Sequence, residues 1–211
     1  DAWHIKSMKS KLCLILRNNL CENTKLNKKE KSLMFGCVLE NVNIPDDLPI
    51  IYAFMNNDEQ YLFSTKLKFL SERNFEKWFL NRLSSDFHDF YTIKSSATQA
   101  VLGYVHNYDF SLIDGTCKLA VYVIPNCRHT GIGGIAAVQF MKKLFYEYPL
   151  RKLYSTIYEY NQESLKSNLA AGFKKEGILK DYRYHNGKWH DMYFLSINRE
   201  TFERTLGKLV I

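Results

Sequence analysis

The amino-acid sequence predicts one α/β domain with a largely antiparallel β-sheet. The chain has 211 residues, which is the size of one domain or of two small ones. It contains no internal repeat and no low-complexity linker at which it could divide. Strand-like and helix-like segments follow each other in the order β-α-α-β-β-β-α-β-α-β-β, and consecutive strands joined by short turns favour antiparallel pairing.

Six elements are predicted in the first 124 residues. A helix that begins near Asn43 suits Pro45 in its first turn, and a second helix has Ser71 as its N-cap. Turn signals at Ser95-Ser96 and Asp114-Gly115 separate three strands. The predicted elements are a strand over 33–42, helices over 43–56 and 71–83, and strands over 87–94, 98–108 and 116–124.

The rest of the chain alternates helices and strands. Asn161 can cap a helix that ends before Gly172, where a glycine suits the position after a helix C-terminus. Asn186-Gly187 is a strong hairpin signal that pairs the last two strands. The predicted elements are helices over 135–145 and 162–171 and strands over 152–158, 173–184 and 188–197.

The positive charge of the chain favours an anionic partner. The formal net charge is +7 and the isoelectric point is near 9.0. Lysine and arginine crowd the N-terminal third, which fits either a patch facing nucleic acid or the ribosome, or a general richness in lysine and asparagine. A polyanionic cofactor would account for part of this charge.

Cysteine and histidine usage argues against a metal site. The five cysteines are scattered without a C-x-x-C motif, and the six histidines are dispersed as well. We therefore expect no metal, no disulfide framework and a reducing, cytoplasmic location. No apolar run approaches the ~20 residues of a membrane helix, and no signal-peptide pattern precedes the domain. For a chain that starts at Asp1 without a methionine, a tag remnant or trimming is the expectation.

The most informative segment is a basic, glycine-containing loop between a strand and a helix. The strand ends at Pro125, and an apolar pattern with helical spacing follows the loop. A loop of this kind leaves backbone N–H groups at the helix start free for phosphate. Gly131, Gly133 and Gly134 remove Cβ atoms near such an anion and permit φ > 0. Arg128 adds a forked cation, so the segment predicts a diphosphate site. A plain glycine cap or flexible loop is the alternative.

Five short motifs in order resemble the GNAT superfamily of acetyl-CoA-dependent N-acetyltransferases. Within it, the chain most resembles the branch that acetylates ribosomal-protein amino termini and related amines. The resemblance implies a GNAT-like single domain at 33–205, with splayed central strands in a mostly antiparallel mixed sheet flanked by helices. Residues 1–32 form an N-terminal extension of uncertain structure. The motifs are Arg128-x-x-Gly131-x-Gly133, Asn161-x-x-Ser164 leading to Ala171-Gly172-Phe173, Glu176-Gly177, residues 186–191, and Asn198-Arg199-Glu200.

The resemblance also implies a cofactor and roles for residues. Acetyl-CoA would be the co-substrate, with its pantetheine arm beside the strand at Val121, which splays from the next strand near 156–157. The N–H of Val123 would polarise the thioester carbonyl. Asn161 would hydrogen-bond the pantetheine, and Ser164 would lie near the sulfur. The implied cofactor-binding residues are Val121, Val123, Arg128, His129, Thr130, Gly131, Ile132, Gly133, Gly134, Asn161 and Ser164.

Two positions depart from the family pattern. Many relatives have a tyrosine general acid where this chain has Asn168, and many have a glutamate base where it has Lys118. We therefore expect Ser164 to donate the proton to sulfur, and water linked to a carboxylate or a tyrosine to take the amine proton. Three further polar residues are expected to be structural, namely Tyr182, Tyr184 and Asp191.

The expected function is acetyl transfer from acetyl-CoA to a primary amine. The acceptor is either a protein N-terminal amine or a small amine such as a polyamine or an antibiotic. One alternative is a catalytically degenerate sensor of acyl-CoA, which Lys118 and Asn168 favour. Another is a basic ribosome- or RNA-binding protein, although nucleic acid and membrane are not the expected partners. The sequence leaves open the acceptor, the general base and whether the chain forms a homodimer.

Overall fold

In a computed structural model, which describes residues 36–56, 60–62 and 71–206, seven strands form one sheet. All neighbouring strands are antiparallel except β4 and β5, which are parallel. The strand order is β1-β2-β3-β4-β5-β7-β6. The strands are β1 (Cys37–Asn41), β2 (Phe90–Ser95), β3 (Val101–Ser111), β4 (Thr116–Val123), β5 (Lys152–Tyr158), β6 (Lys174–His185) and β7 (Lys188–Asn198).

Helices cover both faces of this sheet. The helices are α1 (Leu48–Met55), α2 (Glu72–Leu83), α3 (Ile132–Glu147), α4 (Gln162–Ala170) and α5 (Arg199–Thr205), with 3₁₀ turns at Gln60–Leu62 and Pro125–Cys127. On the α1/α2 face, the ring centroids of Phe79 and Phe90 lie 4.9 Å apart. On the opposite α3 face, Phe140 meets Tyr91 of β2 at 6.0 Å. The sheet is therefore the middle layer of a three-layer α/β domain.

The strongest capping and turn signals of the sequence are confirmed. Ser71 and Asn161 accept hydrogen bonds at the starts of α2 and α4. Gly172 follows α4 with φ of +93°. Asn186 and Gly187 join β6 and β7 with φ of 49° and 80°, and this pair of positive angles is what a two-residue hairpin of this type requires.

The start of α1 was predicted wrongly. The helix begins at Leu48 rather than at Asn43, with Asp47 as its N-cap residue and a proline in its first turn. The residues before it form a turn in which the N–H of Asn43 donates to the Asp47 carboxylate at 2.9 Å. Asp47 is buried and also pairs with Lys94 of β2 at 3.3 Å. This contact with a distant strand fixes the turn, and no local pattern reveals it.

Two strands begin three residues later than predicted, at Phe90 and Val101. The side chain of Asn107 explains the first shift, because it occupies the backbone of the segment before β2. Its Oδ1 accepts from the N–H of Asp89 at 2.7 Å, and its Nδ2 donates to the carbonyl of Phe87 at 3.2 Å. Helix α5 was missed as well, although Asn198 caps it through the N–H of Thr201 at 2.8 Å.

The predicted extension at 1–32 and the first three residues of the predicted strand at 33–42 lie outside the described residues. The remaining predicted helices and strands are confirmed, with bounds that differ by up to three residues.

Gly103 marks a close approach between β3 and the end of β4. A Cβ atom on Gly103 would lie 2.0 Å from the carbonyl oxygen of Tyr122 and 3.0 Å from the Cα of Val123. Both contacts are with backbone, so neither can yield by rotation of a side chain. Only glycine allows the strands to meet this closely, next to the end of β4.

We expect Gly103→Ala to lower the free energy of unfolding by about 1–3 kcal/mol, the usual cost of overpacking. Urea denaturation followed by circular dichroism measures it. Gly177→Ala is the matched control, since its Cβ would meet nothing within 4 Å. Equal stability of the two variants would contradict the close approach.

Two histidines are buried or half-buried against the α1/α2 face. Burial is the main cause that lowers the pKa of His106 to about 4, with a smaller contribution from the positive charge of Arg82. Burial likewise lowers the pKa of His88 to about 3, helped by His106 and Arg82. Both rings are therefore neutral at pH 7.

Stability should fall as the pH falls from about 6.5 toward 4. In this window His106 is protonated in the unfolded chain but stays neutral in the folded chain. The free energy of unfolding therefore falls by about 1.4 kcal/mol for each pH unit. Above pH 6.5 both states are neutral and the effect vanishes. Urea denaturation at several pH values should show a shallower slope for His106→Gln than for the exposed control His129→Gln. Equal slopes would contradict the lowered pKa.

Candidate active site

The two parallel strands part in the middle of the sheet. β4 pairs with β5 only through Thr116–Lys118 and Lys152–Tyr154. Beyond that point β4 stays paired with β3 up to Val123, and β5 stays paired with β7 up to Tyr158. A gap therefore opens between two strands that are each held on their other side. The predicted splay of the central strands is confirmed.

The unpaired edge of β4 points its backbone groups into this gap. The N–H of Ile124 donates to the carbonyl of Leu102 in β3 at 2.9 Å. Because backbone groups alternate along a strand, the N–H groups of Val121 and Val123 face the opposite way, toward β5. The carbonyl of Val123 lies on that same side, where it accepts from Nε of Arg128 at 3.1 Å.

Helix α3 begins at the open end of the gap without a side-chain cap. Its N-cap is Gly131, which has φ of +92° and offers no side chain. The first bond within the helix runs from the N–H of Ile135 to the carbonyl of Gly131 at 3.0 Å. The N–H groups of Ile132, Gly133 and Gly134 precede that bond and have no intrahelical acceptor. These donors are suited to an anion.

The three glycines differ in what they contribute. Of the three, Gly131 alone uses the freedom that glycine permits, since it has a positive φ and Gly133 and Gly134 do not. A Cβ at Gly131 or Gly134 would meet nothing within 4 Å, and one at Gly133 would only touch Val123 at 3.4 Å. The protein itself therefore leaves space in front of the helix start at these glycines.

The other loop side chains hold the loop in shape. Thr130 donates from Oγ1 to the carbonyl of Cys127 at 2.6 Å. The guanidinium of Arg128 lies 5.9 Å from the ring centre of Tyr122, in addition to its bond to Val123. His129 has φ of 61° and its Nε2 lies 3.3 Å from Oε1 of Glu163 in α4. Arg128 is thus directed at the end of β4, and its predicted contact with phosphate stays a prediction.

The start of α4 forms the opposite wall. Oδ1 of Asn161 accepts from the N–H of Ser164 at 3.3 Å, so Asn161 acts as a helix cap. Nδ2 of Asn168 donates to the carbonyl of Ser164 at 2.9 Å and lies 3.4 Å from its Oγ. Since Asn168 supplies a donor to that oxygen, the hydroxyl hydrogen of Ser164 is left for another acceptor.

Together these elements form a cleft of about 490 Å³, and residues from both faces of the sheet line it. Most predicted site residues line it. Two do not: the side chain of Ile132 is fully buried, and Thr130 lies outside the lining. For Ile132 only the backbone can take part. The roles of these residues stay predictions. The predicted residues in the lining are Val121, Val123, Arg128, His129, Gly131, Gly133, Gly134, Asn161 and Ser164.

Sequence reasoning missed the part of the lining that lies on the α1/α2 face. Tyr104 and His106 of β3 and Thr156 of β5 line the cleft there. The hydroxyl groups of Tyr108 and Thr156 are 3.3 Å apart and bridge β3 to β5. The alternation of β3 does place these rings on one face, but only the strand order shows that this face borders the gap.

Lys118 is the last residue of β4 that pairs with β5, and its contacts do not place it as a base. Its Nζ lies 2.8 Å from the carboxylate of Asp109, with the rings of Tyr108 and Phe194 within 6 Å.

Another depression, of about 520 Å³, lies at the far end of α3 beside residues 149–151. Arg199 binds backbone carbonyls there through its guanidinium, which is a structural role.

The residues that the structure describes include no group of three or more His, Cys, Asp or Glu side chains placed to hold a metal ion. Within the same residues, no helix has both the length and the apolar character to span a membrane.

Comparison with known proteins gives a family match and relatives of the same fold. Residues 44–194, more than two thirds of the chain, match the acetyltransferase (GNAT) domain. The SPbeta prophage-derived uncharacterized N-acetyltransferase YokL of Bacillus subtilis (strain 168) is 25% identical over 137 residues, which cover 65% of this chain and 76% of the relative.

Two solved structures from Vibrio cholerae share the fold. The spermidine N-acetyltransferase in complex with CoA and spermine has a TM-score of 0.72 at 16% identity, over 79% of this chain and 97% of the other. The structure of mutant forms of the spermidine/spermine N-acetyltransferase SpeG has a TM-score of 0.69 at 15% identity. The match covers 80% of this chain and 96% of the other. The family match and the parted central strands agree, and the chain belongs to the GNAT family of acetyl-CoA-dependent N-acetyltransferases.

Proposed function

We propose that this protein acetylates a small primary amine, with acetyl-CoA entering from the α3 face and the amine from the α1/α2 face. The observation that carries the proposal is the gap between β4 and β5, because it connects the two faces. The uncapped start of α3 lies on one side of it. The side chains of Tyr104, His106 and Thr156 lie on the other.

The diphosphate of acetyl-CoA binds the N–H groups of residues 132–134, where the helix start adds its partial positive charge. The pantetheine arm follows the free edge of β4 at Val121 and Val123. Acetyl-CoA supplies an activated acetyl group at the end of this arm.

Two groups of the protein then serve the transfer. The N–H of Val123 donates to the carbonyl oxygen, on which negative charge develops as the amine attacks. A carbon–nitrogen bond forms and the carbon–sulfur bond breaks. Ser164 donates its hydroxyl proton to the departing sulfur. The amine nitrogen releases one proton by way of water, and Ser164 regains one proton from water, so the protons balance. Positioning of the two substrates in one gap supplies a large share of the rate.

A small amine suits the α1/α2 side of the gap. Aromatic rings and Leu62 of the 3₁₀ turn at Gln60–Leu62 are part of the lining. The Vibrio cholerae structures of the same fold are spermidine N-acetyltransferases, which supports an acceptor of that size. A protein N-terminus, the acceptor of the ribosomal branch that the sequence resembles, is the alternative acceptor.

An amine panel tests this function. The protein is incubated with acetyl-CoA and with spermidine, spermine, an aminocyclitol antibiotic or a peptide with a free N-terminus, and released thiol is measured. Turnover of a small amine is expected. Turnover of the peptide alone would indicate that the acceptor is a protein N-terminus rather than a small amine. A thermal shift with acetyl-CoA but no turnover would indicate a sensor, and salt-sensitive RNA binding without such a shift would indicate an RNA-binding protein.

Gly134→Glu should weaken CoA binding without unfolding the protein. The new carboxylate would stand in open space at the start of α3, where it stabilises the helix but repels a diphosphate. We expect at least a tenfold rise in Kd by calorimetry, about 1.4 kcal/mol, with an unchanged or higher Tm. The control is Gly177→Glu, also in open space but on β6. Unchanged affinity in Gly134→Glu would contradict the diphosphate site.

Ser164→Ala should lower kcat by about tenfold or more while leaving the Kd for CoA nearly unchanged. The loss arises because the thiolate would leave without its proton donor. Ser167→Ala is the control, since it lies on the same helix and in the same lining but has no assigned role. Steady-state thiol release measures both variants. An unchanged kcat in Ser164→Ala would remove the serine from the mechanism.

A further inference from the structure

His106 is a buried histidine that borders the gap and has no role in the mechanism above. It is 6% exposed, yet it belongs to the lining of the cleft. It lies on β3, opposite Ala120 of β4. Ala120 is the side chain that stands between the histidine and the gap on this face. Because Ala120 carries a single methyl group, the imidazole stays part of the cleft wall.

Aromatic neighbours fix the position of the His106 ring. On the side away from the gap, the ring stacks on Phe90 of β2 at 5.5 Å with an interplanar angle of 11°. Along β3 it lies 6.0 Å from Tyr104 and 5.7 Å from Tyr108. The ring of His88 lies 5.6 Å away. A ring held on several sides keeps one orientation, which is what a positioned proton acceptor needs.

The two nitrogens of His106 have different surroundings. Nδ1 lies 3.1 Å from the carbonyl oxygen of Asn107, which can only accept, so we assign the ring hydrogen to Nδ1. Among the residues that the structure describes, Nε2 has no hydrogen-bond partner. The ring is neutral at pH 7 because burial and the nearby charge of Arg82 oppose its protonation. Nε2 therefore offers a lone pair.

Other groups in the described lining are less suited to this task. Glu163 and His129 face each other at the outer mouth, with side chains 69% and 71% exposed. Tyr104 is a phenol whose pKa is raised by burial, so it stays protonated at pH 7. Thr156 is an alcohol that shares its hydrogen bond with Tyr108. His106 is the buried neutral base among them.

We propose that Nε2 of His106 accepts the proton that the amine loses, directly or through one water. The inference rests on the acetyl transfer proposed above. As the nitrogen bonds to the acetyl carbon, its N–H becomes more acidic and passes its proton to Nε2. The carbon–sulfur bond breaks, and Ser164 protonates the sulfur. The imidazolium then returns its proton to water, which restores the neutral ring for the next turnover.

The test compares His106→Gln with His88→Gln, a nearby histidine that does not line the cleft. We expect kcat of His106→Gln to fall about 10²–10⁴-fold, the usual effect of losing a general base. The Kd for CoA and the KM for amine should stay within about threefold, and His88→Gln should keep kcat within that range. His106→Ala should regain activity with added imidazole, which a purely structural residue would not show.

Three results would overturn the assignment. One is a folded His106→Gln variant with wild-type kcat, and another is a lowered kcat that imidazole does not raise in His106→Ala. If both His106 variants unfold, kcat of Ala120→Leu is measured instead. This variant keeps the histidine but places a larger side chain between its ring and the gap. Wild-type kcat in Ala120→Leu would then count against the proposal, and a kcat loss with unchanged CoA affinity would support it. Failure of the wild-type protein to acetylate any amine would instead reject the proposed function itself.

Discussion

The parting of β4 and β5 is the constraint on which the rest of this structure depends. Two parallel strands in the middle of a sheet would ordinarily stay paired, since an unpaired buried N–H group costs about 1–3 kcal/mol. Here they separate after Lys118 and Tyr154. The unpaired groups at Val121 and Val123 must therefore bind water or a ligand, and the backbone itself becomes the binding surface.

Several contacts within the protein hold the two sides of this gap in place. The outer pairings of β4 with β3 and of β5 with β7 hold each strand from the far side. Gly103 lets β3 approach the end of β4 closely, and Arg128 binds the last carbonyl of β4. The hydroxyl contact between Tyr108 and Thr156 spans the gap on the α1/α2 face. Contacts within the protein thus hold the walls of the site, which lowers the cost of ordering it when a substrate binds.

The sequence predicted the parts of the site that depend on local chain geometry. The loop and the start of α3 follow from neighbouring residues such as Gly131, and the cap at Asn161 does as well. The expectation that Val121 and Val123 border the splayed strands came from a family resemblance. It agrees with the observed orientation of their N–H groups toward β5. Asn186-Gly187 fixed the last hairpin through its backbone preference.

What the sequence could not predict depends on contacts between distant elements. His106 borders the gap only because β3 is the neighbour of β4, and nothing within β3 reveals that. The start of α1 is set by the ion pair of Asp47 with Lys94. The closeness of Gly103 to Tyr122 likewise exists only in the assembled sheet.

The central claim is that backbone N–H groups of the gap and of the α3 start bind acetyl-CoA. Hydrogen exchange of single amides, followed by NMR with and without saturating CoA, tests this claim most directly. The claim predicts that exchange slows at least tenfold at Val121, Val123 and residues 132–134, while the amides of β1 stay unchanged. Binding of CoA with no slowing at these five positions would contradict it.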